Sequence, residues 1–441
     1  MLDHDTQPAT KAGPQRCAGW TATATRDPVF GQHDAALDAL VVHAGSPQVR
    51  TKEPRDAEPI DQDGDEATGP SHMLEIDQVV HGAIIHGCRP AAEFLADVDN
   101  ARWRAPTGAA WGQAEYSGAM WRLGDWEVLG RIARGSTADV WVARPLTAEA
   151  TAVAARSSGR VALKRLYPHL VEDPDLVHMF LDEFRLLARI DDPRVLAVHD
   201  LLDDGETYVA VLELVDGPSM SAAQRLANER ECPVPVEVAV AVVAQIAHAL
   251  VAVHAARSQQ GSPLELVHRD INPPNILVSR DGEVKLCDFG VARSLPGRSG
   301  GFLTTPSTSV GMLKGKASFL APEQLTQQEH GQAVDIYALG ASLYLLLTGE
   351  SPFGAVRDSD LFHAILHDEV RAPSTFFTAS TPALRVLDTI VLRAMARAQD
   401  ERPSAQELAD ALGEWLRTHE VDSRAAVARF IRRLGIPSLT S

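Results

Sequence analysis

Lysine is the residue this chain of 441 residues uses least for its charge: six lysines (Lys11, Lys52, Lys164, Lys285, Lys314 and Lys316) stand beside 35 arginines. Where arginine is the default cation, a retained lysine marks a place that wants a compact, single-point ammonium. Positive charge as a whole is also short. There are 41 basic against 59 acidic residues, a net of −18, so no basic excess is available to displace counterions and nucleic acid is not expected as a partner. The four cysteines, Cys17, Cys88, Cys232 and Cys287, show neither disulfide nor metal spacing, which fits a reducing cytoplasm. The N-terminus lacks the basic flank and apolar run of a signal peptide. One apolar run, Val236 to Ala256, approaches the ~20 residues that cross a bilayer. It carries Glu237, Gln245, His248 and His254, and charges inside a span are costly. A buried core helix in a soluble protein, without a membrane partner, is the expectation.

Residues 1–120 are rich in Asp, Gln, Thr, Pro, Gly and His and poor in periodic apolar runs, and Thr51 to Ser71 is nearly all polar. This composition predicts a largely disordered, low-complexity extension. Asp61 to Glu66 imitates the start of a calcium loop, but glycine stands fourth rather than sixth, and His72 stands twelfth where a Glu is needed, so the stretch reads as a solvated linker. Order is expected from Trp126. Trp126 to Arg144 reads as two strands around a turn, Arg160 to Leu166 as a third, Val177 to Ile190 as an amphipathic helix, and Tyr208 to Val215 as a buried strand before a hinge at Asp216-Gly217-Pro218. From there to about Thr418 the pattern is mostly helical, and an amphipathic tail follows Leu416.

Three strings carry the chemistry: His268-Arg269-Asp270-Ile271-Asn272-Pro273-Pro274-Asn275, then Asp288-Phe289-Gly290, then Ala321-Pro322-Glu323. Asn275 to Val278 reads as a strand, Asp281-Gly282 as a two-residue hairpin turn and Val284 to Cys287 as the returning strand. The hairpin would bring Asp270, Asn275 and Asp288 to one end of a rigid element, as one base and two metal ligands. Phosphoryl transfer needs that arrangement, because its catalysis is mostly positioning and charge neutralisation. With these motifs in this order, the chain resembles a Hanks-type (eukaryotic-like) bacterial serine/threonine protein kinase over roughly Trp126 to Leu416.

The resemblance implies an α+β, two-lobed protein-kinase-like fold, with a small β-rich N-lobe carrying one key helix (126–215), a large, mostly helical C-lobe (216–416) and a C-terminal tail (417–441). It implies ATP and Mg²⁺, with Mn²⁺ as a possible substitute, and protein substrates that include the chain itself through transient self-association. Asp270 would accept or orient the substrate hydroxyl's proton. Asn275 and Asp288 would hold the metal, and Lys164 would hold the phosphates while Glu183 holds Lys164. Gly135 would lie over the phosphates. Val140, Ala162 and Leu277 would sandwich the adenine, the backbone from Glu213 to Val215 would meet its edge, and Asp216 would reach the ribose. Glu323 would pair with Arg402 to anchor the activation segment, and Asp335 would tie the catalytic loop to a buried helix. Sugar and antibiotic phosphotransferases lack that anchor, so proteins are the expected substrates.

Three places depart from the family. The phosphate-covering loop reads Ala133-Arg134-Gly135-Ser136-Thr137-Ala138, with only the central glycine kept, and Asn272 stands where a catalytic-loop lysine is usual. Lys316 stands where a threonine often sits; it is either a surface cation or the replacement for the missing charge. Thr304, Thr305, Ser307, Thr308 and Ser309 are candidate regulatory phosphosites that could pair with Arg269. The departures support one alternative of another class, a nucleotide-binding pseudokinase scaffold.

Overall fold

Six strands build one antiparallel sheet in the computed structural model, which describes residues 121–439 apart from 259, 290–315, 327, 329 and 355–357. The strands are β1 (Trp121–Leu123), β2 (Trp126–Arg134), β3 (Ala138–Pro145), β4 (Val161–Leu166), β5 (Val198–Asp203) and β6 (Tyr208–Glu213), in spatial order β1-β2-β3-β4-β6-β5. In β4, Val161 and Leu163 join a small cluster with Trp126, Val128 and Val211, while Ala162 and Leu166 turn to the main core. The period of two assigns these faces. Helix α1 (Ala148–Ala154) adds Ala150 and Ala154 to the small cluster. Helix α2 (Pro174–Leu187) starts on Pro174 with the Asp173 carboxylate accepting from Asp175 and Leu176 N–H, and buries Phe180, Phe184 and Leu187 in the main core. Those three share one helical face.

The second lobe is helical: α3 (Met220–Glu229), α4 (Val236–His254), α5 (Pro322–Leu325), α6 (Ala333–Thr348), α7 (Asp358–His367), α8 (Pro382–Ala394), α9 (Ala405–Thr418) and α10 (Ser423–Arg433), with one hairpin of β7 (Ile276–Val278) and β8 (Val284–Leu286). The long apolar run is α4, long and apolar enough to cross a membrane. It buries 12 of its 19 residues, packed among α6, α9, α10 and β8. Neighbours on nearly every side explain its lack of a polar face.

The two-lobed α+β architecture is as expected, with differences in detail. Strand β1 precedes the Trp126 start, and α1 and β5 are additional elements. The hairpin turn has three residues, Arg280 to Gly282, rather than two: Ser279 N–H still donates to Glu283 O (2.8 Å), and Gly282 has φ +84°. A three-residue loop takes its left-handed residue at that position. The amphipathic segment after Leu416 packs on the helical lobe, where Ala426, Val427, Phe430 and Ile431 of α10 belong to the main core. Beyond α10 the chain turns back over the hinge. Arg280 donates to Ile436 O, Ser438 Oγ and Leu439 N donate to the two Asp216 carboxylate oxygens (2.7 Å each), and Arg160 donates to Leu439 O (2.7 Å). One short segment thus touches both lobes and the hinge between them. The expected disorder of residues 1–120 lies outside the described residues.

Candidate active site

A buried carboxylate sets the shape of the loop around Asp270. Asp335, in the first turn of α6 and fully buried, accepts from His268 N and Arg269 N (2.8 Å each) and lies 2.9 Å from His254 Nε2. These bonds clamp Arg269 at φ +63°, a left-handed conformation that a long side chain rarely adopts. His268, also buried, donates from Nε2 to Cys287 O (3.2 Å) and accepts the Asp270 N–H at Nδ1 (3.3 Å). Both roles at once require the neutral ring, and burial pushes its pKa down. Its ring lies 4.4 Å from that of Phe289. Buried Cys287, its thiol pushed up by burial, offers a small apolar surface.

Two amides hold the Asp270 side chain. Asn272 Nδ2 donates to Asp270 O (2.9 Å) and Oδ1 (3.0 Å), and Asn275 Nδ2 donates to Asp270 O (2.8 Å) and Oδ2 (2.9 Å). Lys316 Nζ donates to the same Oδ2 at 2.8 Å. The turn Pro273–Asn275 places Asn275 directly before β7, and Cys287 N–H donates to Asn275 O (3.0 Å), so the hairpin brings the amide up to Asp288. Because Asn275 spends its N–H groups on Asp270, its side-chain oxygen is the group left for a cation.

Across the cleft, Lys164 Nζ donates to Glu183 Oε1 (2.9 Å) and Asp288 Oδ1 (2.8 Å). Register makes the first contact: β4 turns Lys164 towards α2, opposite Val140 on β3 and Ala210 on β6. Burial opposes the Lys164 charge, but the two carboxylates outweigh it and its pKa is raised. The surroundings disfavour the Asp288 charge too, yet Lys164 holds it below the usual carboxylate range. Glu183 goes the other way: burial pushes it up to about 7, against the pull of Lys164. One anionic and one neutral oxygen ligand suit a hard divalent ion. Among the described residues no three His, Cys, Asp or Glu side chains converge on a cage.

The remaining residues that the resemblance assigns to the site come from the sheet, the hinge and the hairpin. Val140 and Ala162 come from adjacent strands of the sheet, and Leu277 comes from the hairpin below. Glu213 N–H donates to Ala197 O (2.9 Å), the Glu213 carboxylate pairs with Lys285 (2.6 Å), and Val215 O accepts from Gly217 N–H (2.9 Å). Any adenine contact at Glu213–Val215 therefore falls to the other backbone groups. Asp216 directs its carboxylate to Ser438 and Leu439, so the ribose role implied for it meets a competitor within the chain. In the phosphate-covering loop, Gly135 N–H closes on Ala138 O (2.8 Å). The loop has a support that the sequence reading missed: the Tyr167 hydroxyl lies 3.0 Å from both Gly135 O and Asp139 Oδ1, and Tyr167 N–H donates to Thr137 O (2.9 Å). Its position immediately after β4, two strands from the loop, was the available signal. Gly290 and the candidate phosphosites 304–309 lie outside the described residues.

Below the cleft, Glu323 and Arg402 form a buried two-point pair (2.6 and 2.8 Å), and Arg402 also donates to Ala396 O, Ala333 O and Arg397 O over the Tyr337 ring. Fork-to-fork geometry with every remaining donor used is the condition under which a buried ion pair holds its place.

A sheet-built lobe hinged on a helical one, with this lysine, two amides and three acids facing across the cleft, is the protein-kinase architecture. Residues 145–416 match the protein kinase domain family, and the chain belongs to that family. The match begins after the loop whose outer glycines are alanines. Similar proteins include tyrosine-protein kinase MasK of Myxococcus xanthus, 33% identical over 331 residues (72% of this chain, 49% of that protein). Serine/threonine-protein kinase PkaA of Streptomyces coelicolor is 37% identical over 290 residues (64% and 48%). Serine/threonine-protein kinase PknL of Mycobacterium tuberculosis is 33% identical over 263 residues (56% and 60%). The chain spans about half the length of the first two.

Proposed function

We propose that this protein transfers the γ-phosphate of ATP, with Mg²⁺, to serine or threonine hydroxyls of proteins, its own activation segment among them. The observation that carries the reading is the Lys164–Glu183–Asp288 contact set facing Asp270 and Asn275, in a chain of the protein kinase domain family. Lys164 would hold the α- and β-phosphates, giving up Asp288 when nucleotide enters. Asn275 and Asp288 would hold the metal, which neutralises phosphate charge. Asp270, aimed by Asn272 and Asn275, would take the hydroxyl proton, and the Glu323–Arg402 pair would fix the floor on which a peptide lies. Serine/threonine specificity is supported by the similarity to the serine/threonine-protein kinases PkaA and PknL and by the absence of the tyrosine-kinase pattern from the catalytic loop. MasK is named a tyrosine kinase, so the acceptor residue is part of the test. The cysteine pattern supports a cytoplasmic location.

The experiment is transfer from γ-labelled ATP with Mg²⁺ by the wild type and Asp270→Asn, followed by phosphoamino-acid analysis. Label on serine and threonine that the variant loses by at least ~10²-fold is the expected result for a removed base. No label in the wild type with any generic protein substrate would instead favour the nucleotide-binding scaffold.

A further inference from the structure

Three lysines fall among the described residues, and each pairs with a carboxylate of the cleft: Lys164 with Glu183 and Asp288, Lys285 with Glu213, and Lys316 with Asp270. The first two have evident tasks, one at the phosphates and one at the hinge. Lys316 stands beside the candidate base and has none in the reading just given.

Its surroundings define what it can do. The backbone around it is fixed, because Ala317 and Leu320 are buried with Leu361 and Ile365, and Glu323 is locked to Arg402 a few residues on. The head group is more open: the side chain is 42% exposed, against 11% for Asp270. Lys316 is thus a solvent-open ammonium on a rigid mount beside the candidate base. An ammonium carries three N–H donors, so its contact with Asp270 Oδ2 leaves capacity for other oxygens.

Asn272 cannot take the same part. Its amide N–H groups are committed to Asp270 O and Oδ1, and its own Oδ1 is buried without a partner. Offered to a phosphoryl oxygen, Asn272 would have to release the base. It therefore positions Asp270 and supplies no charge.

A substrate hydroxyl bonded to Asp270 at about 2.6–3.2 Å would stand about 3–3.5 Å from the phosphorus it attacks. A lysine 2.8 Å from the same carboxylate is then one side-chain rotation from the phosphoryl oxygens. The geometry points to Lys316 as a catalytic residue, which holds Asp270 in line before transfer and donates to the transferring phosphoryl group during it, supplying the cation that Asn272 does not. This rests on the kinase reading of the site. In the step, the hydroxyl oxygen bonds to the γ-phosphorus, the bond from phosphorus to the β,γ-bridging oxygen breaks, and its electron pair leaves with ADP. The hydroxyl proton passes to Asp270, and Lys316 keeps its own protons.

The test compares the wild type, Lys316→Met, Asn272→Lys and the double variant by kcat, KM for ATP, calorimetric ADP binding and thermal melting. Lys316→Met is expected to lower kcat by about 10²–10³-fold, as removal of one transition-state donor does, while ADP affinity stays within about threefold. Asn272→Lys removes a positioning amide and lowers kcat in the wild type, yet it should raise kcat at least about tenfold in the Lys316→Met background, because the cation then arrives from the catalytic loop. A kcat within about threefold of wild type for Lys316→Met, equal effects of Asn272→Lys in both backgrounds, or a kcat loss matched by lost ADP binding would each overturn the assignment. A wild type without transfer would overturn the kinase reading itself, a distinct result.

Discussion

Glu183 and Asp288 share the single ammonium of Lys164, and they share it unequally. Asp288, half-exposed, stays ionised, whereas Glu183 is raised from 4.5 to about 7, with burial the largest cause. Two acids competing for one cation push apart in this way. The sign for stability follows from linkage: the folded chain binds the Glu183 proton more tightly than the unfolded chain does. This group's contribution is therefore fully present below pH 4.5 and is lost as pH rises through about 7. Urea unfolding at a series of pH values should show that decline, and Glu183→Gln should flatten it. At the same scale, Arg269 and Asp288 both have positive φ (+63° and +58°); the first precedes the candidate base and the second is itself the candidate metal ligand. The strain in the first is held by the buried Asp335. The sequence showed which residues meet here, through their spacing, but not the left-handed backbone, since neither arginine nor aspartate at these positions advertises it. The Tyr167 support was missed because a tyrosine after a strand is usually a packing residue.

The hinge and the hairpin are joined more closely than two neighbouring loops. Val278 N–H donates to Pro218 O and Arg280 N–H to Asp216 O (2.9 Å each), and a Cβ on Gly217 would lie 2.0 Å from Val278 O. Gly217→Ala must therefore push the hinge off β7. We expect a loss of about 1–3 kcal/mol, as for other overpacked sites, measured by urea unfolding, together with weaker ADP binding by calorimetry. Elements with a long or strongly apolar pattern were legible: β2 and β3 as two strands around a turn, β4 and β6 as apolar runs, α2 by its apolar stripe, and α4 by length. Strand β5 was not, because Val198 to Asp203 holds one buried residue, Leu201, and two aspartates at the sheet edge. Helix α1 is two turns long and depends on the Thr147 cap, and β1 has only three residues, too short for any period to show. The hairpin was read correctly but its turn by one residue too few, since Asp-Gly suits a two-residue turn and also the end of a three-residue one.

At the scale of the molecule, the segment after α10 spans the gap between the lobes through Arg160, Asp216 and Arg280. Docking of α10 holds it in place, with the Arg424 backbone so close to the hairpin turn that a Cβ on Gly282 would lie 2.0 Å from Arg424 O. Net contributions of about 0.5–1.5 kcal/mol per hydrogen bond make the segment a modest brace. Deleting residues 436–441 should lower the melting temperature by a few degrees, about what ~1–2 kcal/mol means for a domain of this size. It should also change KM for ATP more than kcat, because the hinge and Asp216 are released while the base is untouched. A deletion variant with the wild-type melting curve and KM would show these contacts to be incidental. The resemblance gave Asp216 to the ribose; contacts between residues more than 200 positions apart leave no trace in local pattern. The scarcity of lysine has a last consequence. Each described lysine is paired with a carboxylate, and Lys316 is the most open of the three, at 42% against 14% for Lys164 and 10% for Lys285. An amine-acylating reagent, choosing among these three, would reach the lysine beside the candidate base first, and nucleotide would compete with the dye there.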